Sequence, residues 1–325
     1  MLSVDDFANK QILFLQTREG QKLSFLNDNV VIKDADNKTI CQATCYKLFA
    51  VIIIGNITIT SGLIQRAKKF GFAIILMTPS FRPYQTISAF AEGNTILRKN
   101  QYSYSDLEIA KQITKNKIAN QRYMLMSVRN KSDDLKNAVF CIDKYILSID
   151  ECDSVQSIMG VEGCASKIYF KNYFDNVIWK GRRTRIKFDM ANALLDIGYT
   201  ILFSYIDALL SLFGFDRYVG VLHRQFYMRK SLVCDMVEPF RVIIDRAVKK
   251  GINLGQFKER DFDIFDGKWC LKYKKSSDYS KVFITEILNY KEEIYIYIRS
   301  VYRCFMRQDY ASFPQWRFDN GTYQL

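Results

Sequence analysis

The sequence predicts an α+β protein, in which an N-terminal β-sandwich-like domain is followed by a larger all-α domain. Short β-branched or alternating runs, separated by Gly, Asn and Asp, occupy roughly the first hundred residues. A helical period of apolar residues then dominates from about residue 105 to about residue 250. A polar stretch separates the two patterns. We therefore predict a β domain over 1–96, a linker over 97–104 and an α domain over 105–325.

The N-terminal strands follow from alternation and turn residues. QILFLQT, KLSFLN, NVVIKD and TICQAT predict short strands of a meander or small sandwich. FAVIIIGNITIT and FAIILMT are more uniformly apolar, and SGLIQRAKKFG between them has helical spacing, with Ser61 as candidate N-cap and Gly71 as candidate stop. Two apolar strands around a helix predict a crossover within one sheet.

The helical domain begins with a candidate capping box formed by Ser105 and Glu108. The predicted helix behind it carries Lys, Asn and Gln, which we place on its outer face. The stretch 255–282 is polar and predicts irregular structure, and a last helix is expected at roughly 283–308.

The longest apolar run, 197–215, is about as long as a membrane span, but Asp207 lies in its middle. A charge at the centre of a bilayer is costly. Asp189 is a candidate N-cap and Gly214 a candidate C-terminal stop, and capping residues of this kind are typical of a helix in a soluble protein. We therefore predict the central helix of an α-helical core, with no membrane partner.

The charge and the cysteines bound the partner and the compartment. The 325-residue chain has 47 Lys and Arg, 34 Asp and Glu and a net charge of +13, which favours a polyanionic partner, and nucleic acid over an anionic membrane surface. The N-terminus has neither a basic start nor an apolar run, so the eight cysteines are expected to be reduced in the cytoplasm. Cys41 and Cys45 are the only closely spaced pair, which argues against a structural zinc site.

Glu162 is the first candidate for chemistry, in the sequence IMGVEGCASKIYFKNYF. If 162–174 is helical, Glu162 shares one face with Ala165, Tyr169 and Tyr173, which predicts an inward-facing carboxylate. The alternative is that Glu162 lies in the first helical turn, where the helix dipole favours an acid.

Asp235 and Glu238 are the second candidates, in a segment with a clean apolar helical period. Their positions predict that both project from the opposite, polar side of that helix, and a solvated face is the ordinary explanation. Pro239 predicts a start or kink directly after Glu238. His223, the only histidine of the chain, precedes them, and it is either a structural residue or a functional one.

Glu162, His223 and the acidic pair form a plausible ligand set for a divalent metal. Carboxylates suit Mg²⁺ and Mn²⁺, and an imidazole among them favours Mn²⁺. A metal held by so few protein ligands could neutralise a phosphodiester and position an attacking hydroxyl. His223 could instead act as a general acid or base.

A basic tract, KGRRTRIK at 180–187, is the candidate phosphate-binding surface. Nearby aromatics, Tyr169, Tyr173 and Trp179, either add a stacking surface or belong to the core. A solvated loop is the alternative for the cations. The candidate DNA-binding residues are Lys180, Arg182, Arg183, Arg185, Arg224 and Arg241.

Four segments together resemble the CRISPR-associated protein 1 family, the integrase subunit of CRISPR spacer acquisition. They are IMGVEGCASKIYF, FDMANALLDIGYTIL, GFDRYVGVLHRQ and SLVCDMVEPFR. Their order and separations match the family, and the resemblance extends over essentially the whole chain. The two-domain fold of that family also matches the predicted one.

The resemblance implies a metal-dependent DNA integrase and endonuclease whose α domain is catalytic. Such an enzyme joins the 3′-hydroxyl of a short double-stranded DNA fragment to a phosphodiester at the edge of the CRISPR repeat by transesterification. The family's metal ligands, for Mg²⁺ or Mn²⁺, fall on Glu162, His223 and Glu238. Asp235, the other acid of the last motif, is kept as a supporting catalytic residue.

The resemblance also implies partners. We expect a homodimer through the N-terminal domain, and a heterohexamer in which two homodimers are bridged by a dimer of CRISPR-associated protein 2. Two other functions remain open. One is a non-catalytic nucleic-acid-binding scaffold of the same fold, and the other is a metal-dependent nuclease of unrelated role.

Overall fold

The structure, a computed structural model, describes residues 3–87, 93–129, 131–175, 179, 181–183, 186–223 and 226–318. Its N-terminal part alternates strands with two helices and then continues into helices. In chain order the N-terminal elements are α1 (Val4–Ala8), β1 (Gln11–Gln16), β2 (Lys22–Leu26), β3 (Asn29–Lys33), β4 (Thr39–Thr44), β5 (Leu48–Ile54), β6 (Thr58–Ile59), α2 (Ser61–Phe70), β7 (Ala73–Met77) and β8 (Pro83–Ile87).

These strands form two sheets, with orders β1-β5-β7-β8 and β4-β3-β2-β6. In the first sheet β5 pairs in parallel with β1 and β7, so α2 makes the predicted crossover. β5 is buried along its whole length because both faces of its sheet are covered. Val51 and Ile53 pack in the cluster that contains residues of both sheets, whereas Ile52 and Ile54 join the cluster of the helices.

The ends of α2 can be compared with the predicted N-cap and C-terminal stop. Gly71 ends the helix with a φ of 74°, as expected for a C-terminal glycine in the left-handed region. The N-cap is Thr60 rather than Ser61, which is the first residue of the helix. The β-sandwich-like start of the chain is confirmed.

The rest of the chain is mostly helical and carries one small hairpin in its described part. Its elements are α3 (Thr95–Ser103), α4 (Glu108–Met126), α5 (Asp133–Ser148), α6 (Val155–Tyr173), α7 (Met190–Phe213), α8 (Ser231–Val237), α9 (Arg241–Asn253), β9 (Phe262–Phe265), β10 (Lys268–Leu271), α10 (Ser276–Asn289) and α11 (Lys291–Arg307). The α+β class, with strands followed by a larger helical body, is confirmed.

The junction between the two parts differs from the prediction. Segment 97–104, predicted as a linker, lies almost wholly within α3, whose N-cap Asn94 accepts from the backbone N–H of Leu97. Gln101 is buried and donates to the carbonyls of Asp216 and Val219. Its polar side chain therefore belongs to a packed helix and not to an exposed linker. The capping box was wrong, since α4 begins at Glu108 and has Leu107 at its N-cap without a side-chain hydrogen bond.

The C-terminal third was only partly predicted. The polar stretch 255–282 contains the antiparallel hairpin β9–β10 and the start of α10. The single helix expected at 283–308 is two helices, α10 and α11, which break at Tyr290.

Helix α7 is the core helix that the apolar run predicted. Asp189 accepts from the backbone N–H of Asn192 at its start, and Gly214 ends it with a φ of 86°. Among the described residues, α7 is the helix that is long and apolar enough to span a membrane, but 83% of its most apolar window is buried inside the protein. Asp207 is buried and ion-paired rather than exposed to an apolar phase.

Candidate active site

Glu162 lies in the middle of α6, not in its first turn. The helix begins at Val155 behind the N-cap Ser154, so the explanation by the helix dipole was wrong. Ala165, Tyr169 and Tyr173 on the same face are buried, which confirms the inward-facing stripe. The carboxylate accepts from Ser166 Oγ at 2.7 Å and contacts the ammonium of Lys117.

Glu238 begins a short 3-10 turn, Glu238–Phe240, that joins α8 to α9. Pro239 cannot continue the backbone hydrogen bonds of α8, so the predicted break after Glu238 is confirmed. Asn120 of α4 donates to the Pro239 carbonyl at 3.0 Å and fixes this turn against α4. The side chain of Glu238 is only 4% exposed, so the alternative of a solvated face does not apply to it.

Asp235 is completely buried and serves as an acceptor for the loop that carries His223. Its carboxylate accepts the backbone N–H groups of Val221, Leu222 and His223 at 2.6, 3.1 and 2.9 Å. A Cβ at Gly220 would lie 2.6 Å from Asp235 Oδ2, which explains the glycine in the G-x-x-H motif. The alternative of a solvated face is therefore excluded for Asp235 as well.

The ring of His223 is oriented by the same carboxylate. Nδ1 of His223 lies 2.7 Å from Asp235 Oδ1, while Nε2 lies 4.0 Å from Oε1 of Glu238. A hydrogen bond of this kind places the ring proton on Nδ1 of the neutral imidazole and leaves the Nε2 lone pair directed at the site. This distance brings His223 and Glu238 to the same site.

Lys117 of α4 completes the charge arrangement, and it was not among the residues predicted for the site. Its Nζ contacts the carboxylate of Glu162 and lies 2.6 Å from Glu238 Oε2. Lys117 and its neighbours Asn116, Asn120 and Gln121 are buried, so their predicted placement on an outer face was wrong. A signal was available, because Lys117 follows the buried Ile113 by four residues and precedes the buried Met124 by seven, which places it on the apolar face of α4.

The acidic groups stay ionised because cations surround them. Burial alone would raise the pKa of Glu238, but the Arg241 guanidinium and the Lys117 ammonium outweigh it and hold that pKa far below its usual range. Burial also raises the pKa of Glu162, but the Lys117 ammonium lowers it, and the net shift of that pKa is downward. Arg241 Nε lies 2.9 Å from Glu238 Oε2.

These groups line a cavity of about 880 Å³ that extends from Lys117, Glu162, His223 and Glu238 to Asp245. Asp245 is buried and accepts from the hydroxyls of Tyr199 and of Tyr169, the latter at 3.0 Å. Burial raises the pKa of Asp245 to about 6, although both tyrosine hydroxyls oppose the shift. Asp245 was not singled out from the sequence.

The basic tract is only partly described. Arg182 is engaged inside the protein: it pairs with Asp196 at 2.7 Å, donates to Asn192 at 3.0 Å and stacks on Tyr199. Arg183 is exposed and borders the cavity. Arg241, another predicted DNA contact, pairs with Glu238. Lys180, Arg185 and Arg224 lie outside the described residues.

The two tyrosines near the tract belong to the core, and Trp179 is half-buried and packs against it. Tyr169 and Tyr173 stack within α6, and Trp179 packs on Phe170 and Phe174. Tyr169 and Tyr173 are buried, so they do not form the open stacking surface that was the alternative.

The donor atoms fit a divalent cation in type. Glu162, Glu238 and Nε2 of His223 supply two carboxylates and an imidazole, a set that suits Mn²⁺ or Mg²⁺. Within the described ranges, no group of three or more His, Cys, Asp and Glu side chains is drawn together as a metal site. The ammonium of Lys117 lies between the two glutamates instead, at a place that attracts positive charge.

Comparison with known proteins identifies relatives over most of the chain. The family model described as CRISPR associated protein Cas1 matches residues 14–285. A CRISPR-associated endonuclease Cas1 of Chlorobaculum tepidum is 30% identical over 299 residues, which are 85% of this chain and 85% of that protein. One from Thermodesulfovibrio yellowstonii is 33% identical over 225 residues, 65% of this chain and 71% of that protein.

Solved structures share the fold. A chain of the Cas6-RT-Cas1–Cas2 complex has a TM-score of 0.80 at 22% identity and covers 95% of this chain, which spans only 36% of that longer chain. A casposase bound to an integration product has a TM-score of 0.79 at 20% identity, with 96% of each chain covered. The matched family range includes Glu162, His223 and Glu238. The chain belongs to the Cas1 family, the CRISPR-associated protein 1 family that its sequence motifs resembled.

Proposed function

We propose that this protein is a metal-dependent DNA integrase and endonuclease of CRISPR adaptation. It joins the 3′-hydroxyl ends of short double-stranded DNA fragments into the CRISPR repeat by transesterification. Membership of the Cas1 family supports this proposal, and the relatives that match it are named endonucleases. The observation that carries it is the meeting of Glu162, Glu238 and His223 Nε2 in one cavity.

We assign Glu162, Glu238 and His223 as the ligands of Mg²⁺ or Mn²⁺. When bound, such an ion supplies charge neutralisation at the phosphodiester and activates the attacking hydroxyl or water. Both glutamates are kept ionised by neighbouring cations, so they are ready to act as ligands at neutral pH. Asp235 holds the His223 ring and its loop, and thus supports the site without occupying a ligand position.

Lys117 and Arg241 balance the charge of the two glutamates. The ammonium of Lys117 lies between the carboxylates, where it offsets their mutual repulsion. Glu162 and Glu238 would be the residues that hold a divalent ion, and with their charge then offset by that ion the ammonium of Lys117 would be available to pair with a DNA phosphate. Arg241 stays paired with Glu238 and stacks on Tyr199, with its guanidinium carbon 4.6 Å from the ring centre.

The assembly that we propose is a homodimer through the N-terminal β domain, bridged by CRISPR-associated protein 2 into a heterohexamer in the cytoplasm. A structural neighbour is named as a complex with Cas2, and another as bound to an integration product. The net charge of +13 supports DNA as the partner of the assembly.

A strand-joining assay tests the proposed function. Purified protein, with and without the companion protein, is incubated with a short DNA duplex and a supercoiled plasmid that carries a repeat, in Mg²⁺ or Mn²⁺. We expect Glu162→Ala, His223→Ala and Glu238→Ala each to abolish joining while duplex binding persists. Asp143→Asn, which alters an ion pair with Arg122 outside the cavity, is the control. Joining at the normal rate by His223→Ala would refute the assignment.

If the wild-type protein binds duplexes but neither joins nor cuts them with any of these ions, the non-catalytic scaffold becomes the better function. Cutting without joining, in the presence of the companion, would instead indicate a nuclease of another role. Each outcome is read from the same gel, since joined, nicked and intact plasmid migrate differently.

A further inference from the structure

The loop that carries His223 connects the end of α7 to the start of α8. It leaves the core helix after Gly214 and returns at Ser231, and the backbone N–H of Leu232 donates to the carbonyl of Arg217 at 3.1 Å. His223 lies between these ends, so its position depends on what holds the loop. Asp235 holds the stretch 221–223 through backbone hydrogen bonds.

The tip of the loop is not held by packing. Phe226, Tyr227 and Met228 are 74%, 86% and 76% exposed, so their side chains contribute little packing. The entry to the loop is tied by Gln101, which donates to the carbonyls of Asp216 and Val219 at 2.7 Å each. The return toward α8 needs an anchor of its own.

Asp207, in the middle of α7, contacts both ends of the loop with one carboxylate. Its Oδ1 lies 3.0 Å from Nη1 of Arg217, and its Oδ2 lies 2.7 Å from Nζ of Lys230. Asp207 itself is only 1% exposed. Ion pairs at such a depth are screened little by solvent, and loss of one partner leaves the other buried and uncompensated.

The location of Asp207 makes it a fixed reference for the loop. It lies on the core helix, seven residues before the Gly214 stop, where the backbone is packed on all sides. Thr86 of β8 also approaches Oδ2, with Oγ1 at 3.4 Å, so the carboxylate is surrounded by donors from three segments. In the sequence, Asp207 indicates only that the apolar run does not span a membrane.

We propose that Asp207 is a positioning residue that fixes the His223 loop, and thereby the imidazole, relative to Glu238. It acts through Arg217 and Lys230 and touches no reacting atom. The consequence for strand joining rests on the proposed function above, but the effect on the His223 ring does not. The two can therefore be tested apart.

The test uses the fact that His223 is the only histidine in the chain. Its ring gives one assignable set of ¹H–¹³C signals in the full-length protein, without metal or DNA. We expect narrow signals in the wild type, and exchange broadening or shifted signals in Asp207→Asn. In the joining assay we expect a loss on the order of tenfold or more, with duplex affinity nearly unchanged.

Three further variants separate positioning from general destabilisation. Arg217→Gln and Lys230→Gln each release one end of the loop and should perturb the His223 signals in the same way, even if Asp207→Asn does not fold. Leu209→Ala is the control, since it removes buried side-chain volume two residues along α7, on the opposite side of the helix. It should lower the melting temperature and leave the His223 signals narrow.

The proposal is overturned if the released-loop variants keep narrow His223 signals at wild-type shifts, or if Leu209→Ala broadens them equally. A wild type that joins no DNA contradicts the proposed function but leaves the signal comparison to decide the role of Asp207. Loss of joining with unchanged His223 signals would also refute positioning.

Discussion

Nδ1 of His223 lies 2.7 Å from Oδ1 of Asp235, and the same carboxylate accepts three consecutive backbone N–H groups of the His223 loop. Asp235 is thereby committed to orienting the imidazole and shaping the loop. The two acids of the D-x-x-E motif therefore differ in role: Glu238 faces the cavity, and Asp235 supports His223 from behind.

Asp235→Asn should lower strand joining on the order of 10- to 100-fold and leave duplex affinity nearly unchanged. The amide NH₂ would face donors that now share two carboxylate oxygens, so both the ring and the loop lose acceptors. Joining rates and binding isotherms measure the two effects. Asp34→Asn is a matched control, because Asp34 also accepts two backbone N–H groups, but in a turn of the β domain. Equal loss in both variants would contradict an orienting role.

Lys117→Met should make the protein less stable without metal and more responsive to it. Removing the ammonium leaves Glu162 and Glu238 buried close together with Arg241 as the main remaining counter-charge, a loss of about 3–5 kcal/mol in the free energy of unfolding. Divalent ions should restore part of this, so Mn²⁺ should raise the melting temperature more in Lys117→Met than in the wild type.

Thermal melts with and without Mn²⁺ measure that difference. Lys115→Met controls for the loss of a lysine on α4. Lys115 lies on the same helix as Lys117, and the substitution breaks its ion pair with Asp150. The same Mn²⁺ shift in all three proteins would show that the ion does not bind between the glutamates.

Substitutions of the adjacent residues Arg183 and Arg182 should have different effects, the first on DNA binding and the second on stability. Arg183 is exposed, so Arg183→Gln should weaken DNA binding and lower the slope of log K against log salt by about 0.9 if it neutralises one phosphate. Arg182 is engaged with Asp196 and Asn192, so Arg182→Gln should mainly lower the free energy of unfolding, by about 1–3 kcal/mol. Affinities over a range of salt and urea melts measure these quantities.

Lys136→Gln, which removes an exposed cation of α5 outside the cavity, is the control for loss of charge. An unchanged salt slope in Arg183→Gln would assign Arg183 to the solvated-loop alternative.

The sequence predicted features that local patterns determine. Alternation located the strands, and Asp189 and Gly214 located the ends of α7, because caps and periodicity act within a few residues. The burial of Lys117 and of Asp235 depends on partners that other elements bring from a distance, so a helical period alone cannot distinguish them from solvated residues. Family motifs supplied Glu162, His223 and Glu238 together, which spacing had left as alternatives.

Asp245 is a further residue whose burial the sequence pattern could not predict, and it is a group that titrates. It lies on α9 in an apolar period, and only the folded structure shows that its carboxyl group is buried against the hydroxyls of Tyr199 and Tyr169. Burial raises its pKa from 3.8 to about 6. Between those values the folded state binds more protons than the unfolded state, so the contribution of Asp245 to stability is full below pH 4 and is lost as the pH rises through about 6.

Asp245→Asn should remove this loss, because an amide does not ionise. The free energy of unfolding of the variant relative to the wild type should rise by about 3 kcal/mol between pH 4 and pH 7. Urea melts across this range measure the difference, whatever constant offset the lost hydrogen bonds introduce. Tyr169→Phe provides a matched test, since its hydroxyl lowers the pKa of Asp245 and its removal should shift the loss to higher pH. Parallel stability profiles for Asp245→Asn and the wild type would contradict the raised pKa of Asp245.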